Sequence, residues 1–436
     1  MDLWRGWHLR QTNFVWDVMN YYSYLPAKFC NQGSFDFKNG HEIYLPKSPK
    51  GEFLPKVTYG MSLLYSPFFA LGYKIAYNEK EALDGFSPPF SLCIHWGSIL
   101  YGLLGLIFLR NLLIRFFDEW VTAITLAIVF FGTTLFYYTM GSSEMAHSHL
   151  FFLISAFLLL TYQWNEKRTW MRSIGIGILL GIISLIRPTE ILVGALFLFW
   201  GVHDWESLKA QLNRLWEAKF HLILMGIMIL IAWLPQFLFW KEHTGNYFFF
   251  SYGDERFFWK DPQLINILFS YRKGWLTYSP LIWLLIFGFF FMKGELSKFR
   301  PVILFLLILN VYMLSCWWDW FFGGGFGARG FTQHIAYLSL PIGALCHHFL
   351  NSDLCVRIWK GLRTGFMALV FAGITLSVGQ SYQYAKTYIH FNSMSKDVYW
   401  LVWGKYYLTD EDMSYYWRYL KEPNYEKLRS GEDRDQ

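Results

Sequence analysis

Asp17 is the first residue in this sequence whose type and surroundings could carry out chemistry. It lies in WDVMNYYSYLP, Trp16 to Pro26, among aromatic residues. A carboxylate held against apolar rings binds a proton more readily than one in water, or it needs a cation nearby, and either condition suits a general base. The alternative is an aromatic belt at a membrane surface that contains one ordinary acid.

A second stretch, GSSEMAHSHL, brings Glu144, His147 and His149 within six residues of one another. A carboxylate and an imidazole at positions i and i+3 of a helix share a face, so this turn could form a metal site or a proton relay. A divalent metal ion is therefore a candidate cofactor, although no third ligand is fixed by the sequence. A polar turn that caps two helices is the structural alternative.

The third stretch, Arg187-Pro188-Thr189-Glu190, interrupts an apolar segment. An arginine at the edge of the hydrocarbon must pair with a group or reach water, and a lipid phosphate is a natural partner because a guanidinium binds two phosphate oxygens at once. Pairing with Glu190, or extension of the side chain to the membrane surface, is the alternative.

The fourth and most specific stretch is CWWDWFFGGGFGARGF, Cys316 to Phe331. It combines an acid, a run of glycines and a cation with three tryptophans, whose flat faces suit sugar rings. The candidate functional residues of this stretch are Trp317, Trp318, Asp319, Trp320 and Arg329. The GxxxxGK[ST] pattern of a phosphate-binding P-loop is absent. A structural loop at the membrane surface is the alternative.

A long polar segment, 241–275, adds charged residues among aromatic ones, namely Asp254, Glu255, Arg272 and Lys273. This composition fits an ordered cap over a cavity. It fits a solvated face equally well.

The elements that must position these residues are membrane helices. Hydrophobic residues make up 54% of the 436 residues and charged residues only 16%, which excludes an ordinary soluble globular protein. The net charge of +6 is spread over short connectors and does not indicate nucleic-acid binding. The five cysteines, which include Cys355, show no ligand-like spacing.

Apolar runs of roughly 17 to 25 residues predict spans of a bilayer. Eight such runs lie near 90–109, 119–139, 148–164, 220–240, 276–292, 301–316, 333–350 and 364–381. The broken segment 173–202 supplies two shorter helices, which gives an all-α polytopic bundle of about ten transmembrane helices.

Basic residues occupy alternate connectors, which assigns those connectors to the cytoplasmic side. The connectors near 110–115, 167–172, 209–219, 293–300 and 357–363 carry them. The four chemical stretches then lie on the extracytoplasmic side. Three regions follow: a first outer loop with interfacial helices (1–89), a transmembrane bundle (90–382), and an interfacial tail (383–436) that is expected to end in a disordered charged run. Because the first loop lies outside, a transmembrane helix is expected to precede it, and we expect this N-terminus to lack that helix. An N-terminal tail that lies outside is the alternative.

With these motifs in order, the chain resembles the GT-C superfamily of membrane glycosyltransferases, which includes protein O-mannosyltransferases and the lipid A aminoarabinose transferase. The resemblance rests on the first-loop Asp17, the outer turn 144–149, the break at Arg187 and the loop 316–331. The acidic doublet familiar in that family is absent because Val18 follows Asp17. This difference leaves dependence on a metal ion open.

The resemblance implies transfer of a sugar from a polyprenyl-phosphate-linked donor to a lipid, glycan or protein acceptor. The reaction would occur at the outer face of a bacterial cytoplasmic membrane. Asp17 would be the catalytic base, and Arg187 and Arg329 would bind the donor phosphate. The path of the sugar or acceptor would be lined by Tyr21, Tyr22, Trp317, Trp318, Asp319 and Trp320. An undecaprenyl-linked glycan polymerase or ligase, and a non-enzymatic transporter or flippase, are the alternatives.

Overall fold

The computed structural model describes residues 14–37, 41–48, 50–351, 360–432 and 434. Within these ranges the chain forms twenty α-helices and no β-strand. The predicted all-α class is thereby confirmed for the described part of the chain. The first thirteen residues of the predicted outer loop lie outside the described residues, as do Cys355 and the basic residue Arg357.

The chain divides into two compact units. The first contains the described part of Met1–Phe108, together with Ser142–Leu198 and Leu212–Gly253. The second contains Leu109–Gly141, Phe199–Gln211 and the described part of Asp254–Gln436. Helices α4 and α10 contribute residues to both units.

The helices of the first half are α1 (Trp16–Tyr22), α2 (Tyr24–Cys30), α3 (Gly60–Glu79), α4 (Pro88–Leu113), α5 (Glu119–Phe131), α6 (Leu135–Met140), α7 (Ala146–Glu166), α8 (Trp170–Ile186), α9 (Ala195–Leu198), α10 (Trp205–Glu217) and α11 (Lys219–Thr244). Those of the second half are α12 (Leu264–Phe269), α13 (Trp275–Tyr278), α14 (Trp283–Phe291), α15 (Arg300–Cys316), α16 (Ile335–Asn351), α17 (Lys360–Ala385), α18 (Lys396–Val402), α19 (Asp410–Tyr419) and α20 (Tyr425–Ser430).

In the first unit, α8 packs between α7 and α11. A Cβ at Gly177 would lie 2.6 Å from the Met225 carbonyl oxygen, so this position of α8 admits only glycine. The Trp233 indole of α11 also donates a hydrogen bond to the Ser184 hydroxyl of α8 at 3.0 Å. Small residues and interhelical hydrogen bonds are the means by which helices associate in lipid.

In the second unit, α16 packs against α5 and α14. Gly288 of α14 faces the backbone of α16, because a Cβ there would lie 2.2 Å from the Pro341 carbonyl oxygen. The close approach of α14 and α16 thus depends on the absence of a side chain at position 288.

Five helical segments of the described chain are long and apolar enough to cross a membrane, judged by length and composition. They are Pro88–Leu113, Ala146–Glu166, Lys219–Thr244, Gly294–Cys316 and Gly361–Ala385. Four shorter apolar segments, Glu119–Phe131, Trp170–Ile186, Pro188–Leu198 and Pro280–Phe291, fall below that length. The bundle of about ten spans stays a prediction.

Two predicted spans are interrupted. The run 119–139 divides into α5 and α6 because Gly132 ends α5, and the Thr133 hydroxyl then accepts a hydrogen bond from the Leu135 N–H at 3.2 Å. The run 276–292 is divided at Ser279-Pro280, where the residue before a proline leaves the helical conformation. A long hydropathy window does not register either break, because apolar residues flank Gly132-Thr133-Thr134 and Ser279-Pro280 on both sides.

The predicted break at Arg187 is present. Helix α8 ends at Ile186, and the chain continues as a 3-10 helix over Pro188–Gly194, followed by the short helix α9.

Candidate functional site

Asp17 lies in the first turn of α1 and is half-buried. Asn20 fixes this helix: its side-chain amide donates to the carbonyls of Trp16 and Tyr44, each at 3.0 Å. Its Oδ1 accepts the Lys56 N–H at 2.7 Å. The helix that carries Asp17 is therefore anchored to two later segments of the first unit.

Tyr21 and Tyr22 are both buried. The Tyr22 ring stacks on Phe14 with centroids 3.8 Å apart, and its hydroxyl donates to the Gly85 carbonyl. Tyr22 thus contributes to the aromatic core of the first unit, a role that the sequence did not suggest. Its proposed place along a sugar or acceptor path, and that of Tyr21, stay predictions.

Glu144 is buried and pairs with a residue that sequence reasoning missed. Its Oε1 lies 2.9 Å from His95 Nδ1, and the Ser143 hydroxyl lies 3.0 Å from the same nitrogen. His95 comes from α4, almost fifty residues earlier in the chain. The one available signal was an ionisable residue inside a predicted span, which is uncommon without a function or a partner.

The two histidines of the predicted metal or relay site are completely buried at the start of α7. His149 Nδ1 lies 3.2 Å from the Met145 carbonyl oxygen, and its ring meets the ring of Tyr65 edge to face. Across the described residues, no three His, Cys, Asp or Glu side chains form a group that could hold a metal ion. The predicted metal or relay role of Glu144, His147 and His149 stays a prediction.

Arg187 caps the C-terminus of α8 and is half-buried. Its carbonyl accepts the Glu190 N–H at 2.9 Å, which begins the 3-10 helix. Glu190 itself is buried. The candidates of the segments 17–22, 144–149 and 187–190 belong to the first unit, whereas those of the segments 254–273 and 316–331 belong to the second.

In the second unit, the loop that follows α15 pairs with an earlier segment. Phe257 and Trp317 form an isolated antiparallel β-bridge. The Phe258 N–H donates to the Cys316 carbonyl at 2.7 Å, and the Trp318 N–H donates to the Arg256 carbonyl at 3.1 Å. This pairing holds the start of the loop 316–331 and orients its tryptophans.

The three tryptophans have different surroundings. Trp317 is half-buried against the Phe257 ring, whereas Trp320 is buried and donates from its indole nitrogen to the Arg434 carbonyl at 2.9 Å. Trp318 lies under the guanidinium of Arg429, which is 5.0 Å from its ring centroid. Trp318 and Trp320 are therefore both buried, and Trp318 packs against Arg429 and Tyr425.

Asp319 is buried, with 8% of its surface exposed. Burial raises the pKa of its carboxyl group to about 7, against the opposing effects of the cations Arg329 and Lys273 and a hydrogen bond from the Gly323 N–H. One carboxyl oxygen, Oδ1, has no hydrogen-bond partner among the described residues. A buried acceptor without a partner is uncommon in proteins.

Arg272 and Lys273 are buried rather than solvated, with 5% and 1% of their surfaces exposed. The Lys273 ammonium donates to the carbonyls of Gly325 and Phe391, and the Arg272 guanidinium donates to the Asn392 carbonyl. Burial holds the pKa of Lys273 well below its usual value, and the neighbouring Arg329 and Arg272 lower it further. The sequence showed this pair only as a basic dipeptide in a loop.

Arg329 begins the 3-10 helix Arg329–His334 and is half-buried. Gly325 lies against it, since a Cβ at Gly325 would be 3.0 Å from the Arg329 Cδ and 3.0 Å from the Tyr138 hydroxyl. The glycine run therefore lets the loop backbone approach both side chains. We call Arg272, Lys273, Asp319 and Arg329 the charged cluster.

A shallow cavity of about 400 Å³ lies in the same unit. It is lined by Asp254, Tyr425, Glu426, Arg429 and Ser430. Tyr425 connects this cavity to the charged cluster, because Asp319 and Arg272 both act electrostatically on its hydroxyl. The sequence contains no signal for Tyr425, which comes from the tail of the chain.

Comparison of the chain with protein-family models, with curated proteins and with solved structures finds no match.

Proposed function

We propose that this protein is a membrane glycosyltransferase that moves a sugar from a polyprenyl-phosphate-linked donor to an acceptor at the outer face of the membrane. The observation that supports it best is the charged cluster beside Trp318. Arg272 and Lys273 are buried, Arg329 is half-buried, and side chains of these two types bind phosphate oxygens.

A prenyl-linked donor fits the rest of the molecule. Its hydrocarbon tail requires lipid, and five helical segments have the length and composition to reside there. Its phosphate requires cations, which the cluster offers, and its sugar ring suits the flat face of Trp318. In the first unit, Arg187 is half-buried at a helix end and is proposed separately as a phosphate ligand.

Asp17 is proposed as the base that takes the proton from the acceptor hydroxyl. The hydroxyl oxygen then bonds to the anomeric carbon while the bond from that carbon to the phosphate oxygen breaks, and polyprenyl phosphate leaves with the bonding electrons. The half-buried place of Asp17 on an anchored helix supports this role, because a catalytic group needs a fixed position and access to substrate. The outer-face location and the GT-C architecture are part of the same proposal.

The test follows radiolabelled sugar from a pool of polyprenyl-phosphate donors into the lipid, glycan and protein fractions of membranes that contain the protein. Asp17→Asn should abolish transfer at unchanged expression. Asp36→Asn is the matched control, because Asp36 is an exposed aspartate of the same unit. This variant should transfer sugar at the wild-type rate.

The fraction that receives the label separates the alternatives. Label in long glycan chains indicates a polymerase or ligase. No transfer by the wild-type protein from any donor contradicts the enzyme proposal and favours a transporter. Equal transfer by Asp17→Asn and the wild type would remove Asp17 from the mechanism.

A further inference from the structure

Helix α10 exposes apolar side chains that the proposed function does not use. Trp205, Leu212 and Trp216 are each more than half exposed. Their spacing of seven and then four residues places all three along one side of the helix, and we call them the apolar stripe. The ammonium group of Lys209 borders the stripe, 5.7 Å from the centroid of the Trp205 ring. A stripe of this size in water would promote association, so something covers it in the working protein.

The other residues of α10 divide between two further faces. Gln211 and Leu215 are buried and form one of them. Glu206, Asn213 and Glu217 are exposed and form a polar face. By helical periodicity, the apolar stripe lies between the buried face and the polar face. A helix with protein on one side, water on another and apolar side chains between them is suited to the surface of a bilayer.

Helix α10 leads directly into a candidate membrane span. It ends at Glu217, and α11 begins at Lys219. Between them Ala218 leaves the helical conformation, with φ −92° and ψ 16°, so α10 does not simply extend α11.

The length of α11 places this junction at a membrane surface. A helix of 26 residues is about 39 Å long, whereas the hydrocarbon core of a bilayer is roughly 30 Å thick. When α11 is centred in the bilayer, each of its ends therefore reaches about 4–5 Å beyond the hydrocarbon, into the headgroup layer. The C-terminal end of α10 is thereby held among the headgroups.

The side chains at the junction suit that layer. The Lys219 ammonium lies 5.1 Å from the centroid of the Trp216 ring and 5.5 Å from that of the Phe220 ring. Phe220 is exposed, as are Ile223 and Ile227 on the same side of α11. Lys219 thus connects the apolar stripe to the exposed apolar surface of the span. Tryptophan rings beside a lysine ammonium are typical of the boundary between hydrocarbon and headgroups.

We propose that α10 is an interfacial helix that binds the surface of the lipid bilayer through the apolar stripe. The three apolar side chains enter the outer part of the hydrocarbon, while the ammonium groups of Lys209 and Lys219 stay among the lipid phosphates. This contact requires no sugar transfer, so a failure of the proposed function leaves it intact, and the reverse also holds. A second copy of the chain, or another protein, is the competing occupant of the stripe.

The test uses nitroxide spin labels on single cysteines of the full chain, in a background without native cysteines and in phosphatidylcholine vesicles. Leu212→Cys reports on the stripe. Asn213→Cys is the matched control, because Asn213 is the exposed neighbour on the polar face of the same helix. Leu230→Cys is the reference for hydrocarbon, because Leu230 is exposed on α11. Electron paramagnetic resonance measures the accessibility of each label to oxygen, which concentrates in hydrocarbon, and to a nickel complex that stays in water.

A stripe that lies in the membrane surface predicts opposite results at neighbouring positions. The ratio of oxygen to nickel accessibility should be several times higher at Leu212→Cys than at Asn213→Cys. It should be lower than at Leu230→Cys, because an interfacial position is shallower than a position within the span. Equal ratios at the two positions of α10 would overturn the inference. Protection of Leu212→Cys from both reagents would also overturn it, because that pattern indicates a protein partner.

A second matched pair tests the other end of the helix. Trp205→Cys and Glu206→Cys are both at exposed positions and should repeat the contrast. A contrast at Leu212 without one at Trp205 would overturn the inference, because α10 would then project away from the membrane. A Leu230→Cys label that is accessible to the nickel complex would do the same, since α11 would no longer hold α10 at the lipid surface.

Discussion

Gly327 illustrates how a single residue determines the conformation of the loop 316–331. Its φ is +57°, and a Cβ there would lie 3.0 Å from Thr134 Cγ2 and 3.1 Å from Tyr278 Cβ. The position therefore needs glycine for two reasons, its left-handed backbone and the space around it. Gly404 shares only the first, because its φ is +70° and nothing lies within 4 Å of the added atom.

Gly327→Ala should lower stability more than Gly404→Ala. The left-handed backbone costs an alanine about 1 kcal/mol in both variants, and overpacking adds about 1–3 kcal/mol at position 327 only. Thermal unfolding in detergent measures the difference, and sugar transfer should fall only in Gly327→Ala. Equal losses of stability would show that Thr134 and Tyr278 move aside without cost.

A second prediction for a single residue concerns the contact between Glu144 and His95. Glu144→Gln keeps the shape but removes a charged partner at 2.9 Å, so stability should fall by about 1.5–3 kcal/mol. The matched control is Glu119→Gln, because the Glu119 side chain is 88% exposed and its contact with Arg110 is 3.4 Å long. Unchanged thermal unfolding of Glu144→Gln would show that the pair contributes little.

At the scale of elements, α11 is the most exposed of the five candidate spans, with 11% of its most apolar window buried. Leu230, for example, is 63% exposed. An apolar helix that leaves most of its surface uncovered needs lipid around it, because such an area in water would promote association. The exposed face of α11 is therefore expected to contact hydrocarbon.

Leu230→Lys should reduce the amount of protein that resists carbonate extraction from membranes. A lysine near the centre of a membrane helix costs about 2.5–3.5 kcal/mol of insertion free energy. Tyr407→Lys is the control, because Tyr407 is 74% exposed but lies beyond the spans and should be tolerated. Equal recovery of both variants would contradict a lipid-facing α11.

At the scale of the whole molecule, the alternation of basic connectors predicts which segments share a side of the membrane. Glu206 lies in a basic connector and Asp410 in the tail, and both are exposed. In a background without native cysteines, a membrane-impermeant maleimide should label Asp410→Cys in intact cells. It should label Glu206→Cys only after lysis, and labelling of both before lysis would contradict the predicted topology.

Much of the helix inventory could be predicted, because a long apolar run that lies in lipid must satisfy its backbone hydrogen bonds internally, as a helix does. The break at Arg187 was predictable for a local reason, since proline both removes a donor and restricts the preceding residue. The break after α5 and the break before α14 were not predictable. A glycine or a proline inside an apolar run is compatible with either a continuous or a divided helix, and packing decides between them.

The tail shows the limit of composition most clearly. Its charged end was expected to be disordered, but α20 forms over Tyr425–Ser430 and Arg434 is only 3% exposed. The Arg434 guanidinium donates to the carbonyls of Ser315 and Trp317, at 3.1 and 2.7 Å. A charged residue orders when distant carbonyls can satisfy its donors, and composition contains no information about them.

The sequence by itself determined the helical class, the five long apolar segments and the chemical character of the loop 316–331, because these depend on residue type and local spacing. Only the tertiary structure decided which charges meet. Glu144 pairs with His95 from α4. Electrostatic energy depends on distance and burial, and both are set by chain segments far apart in sequence.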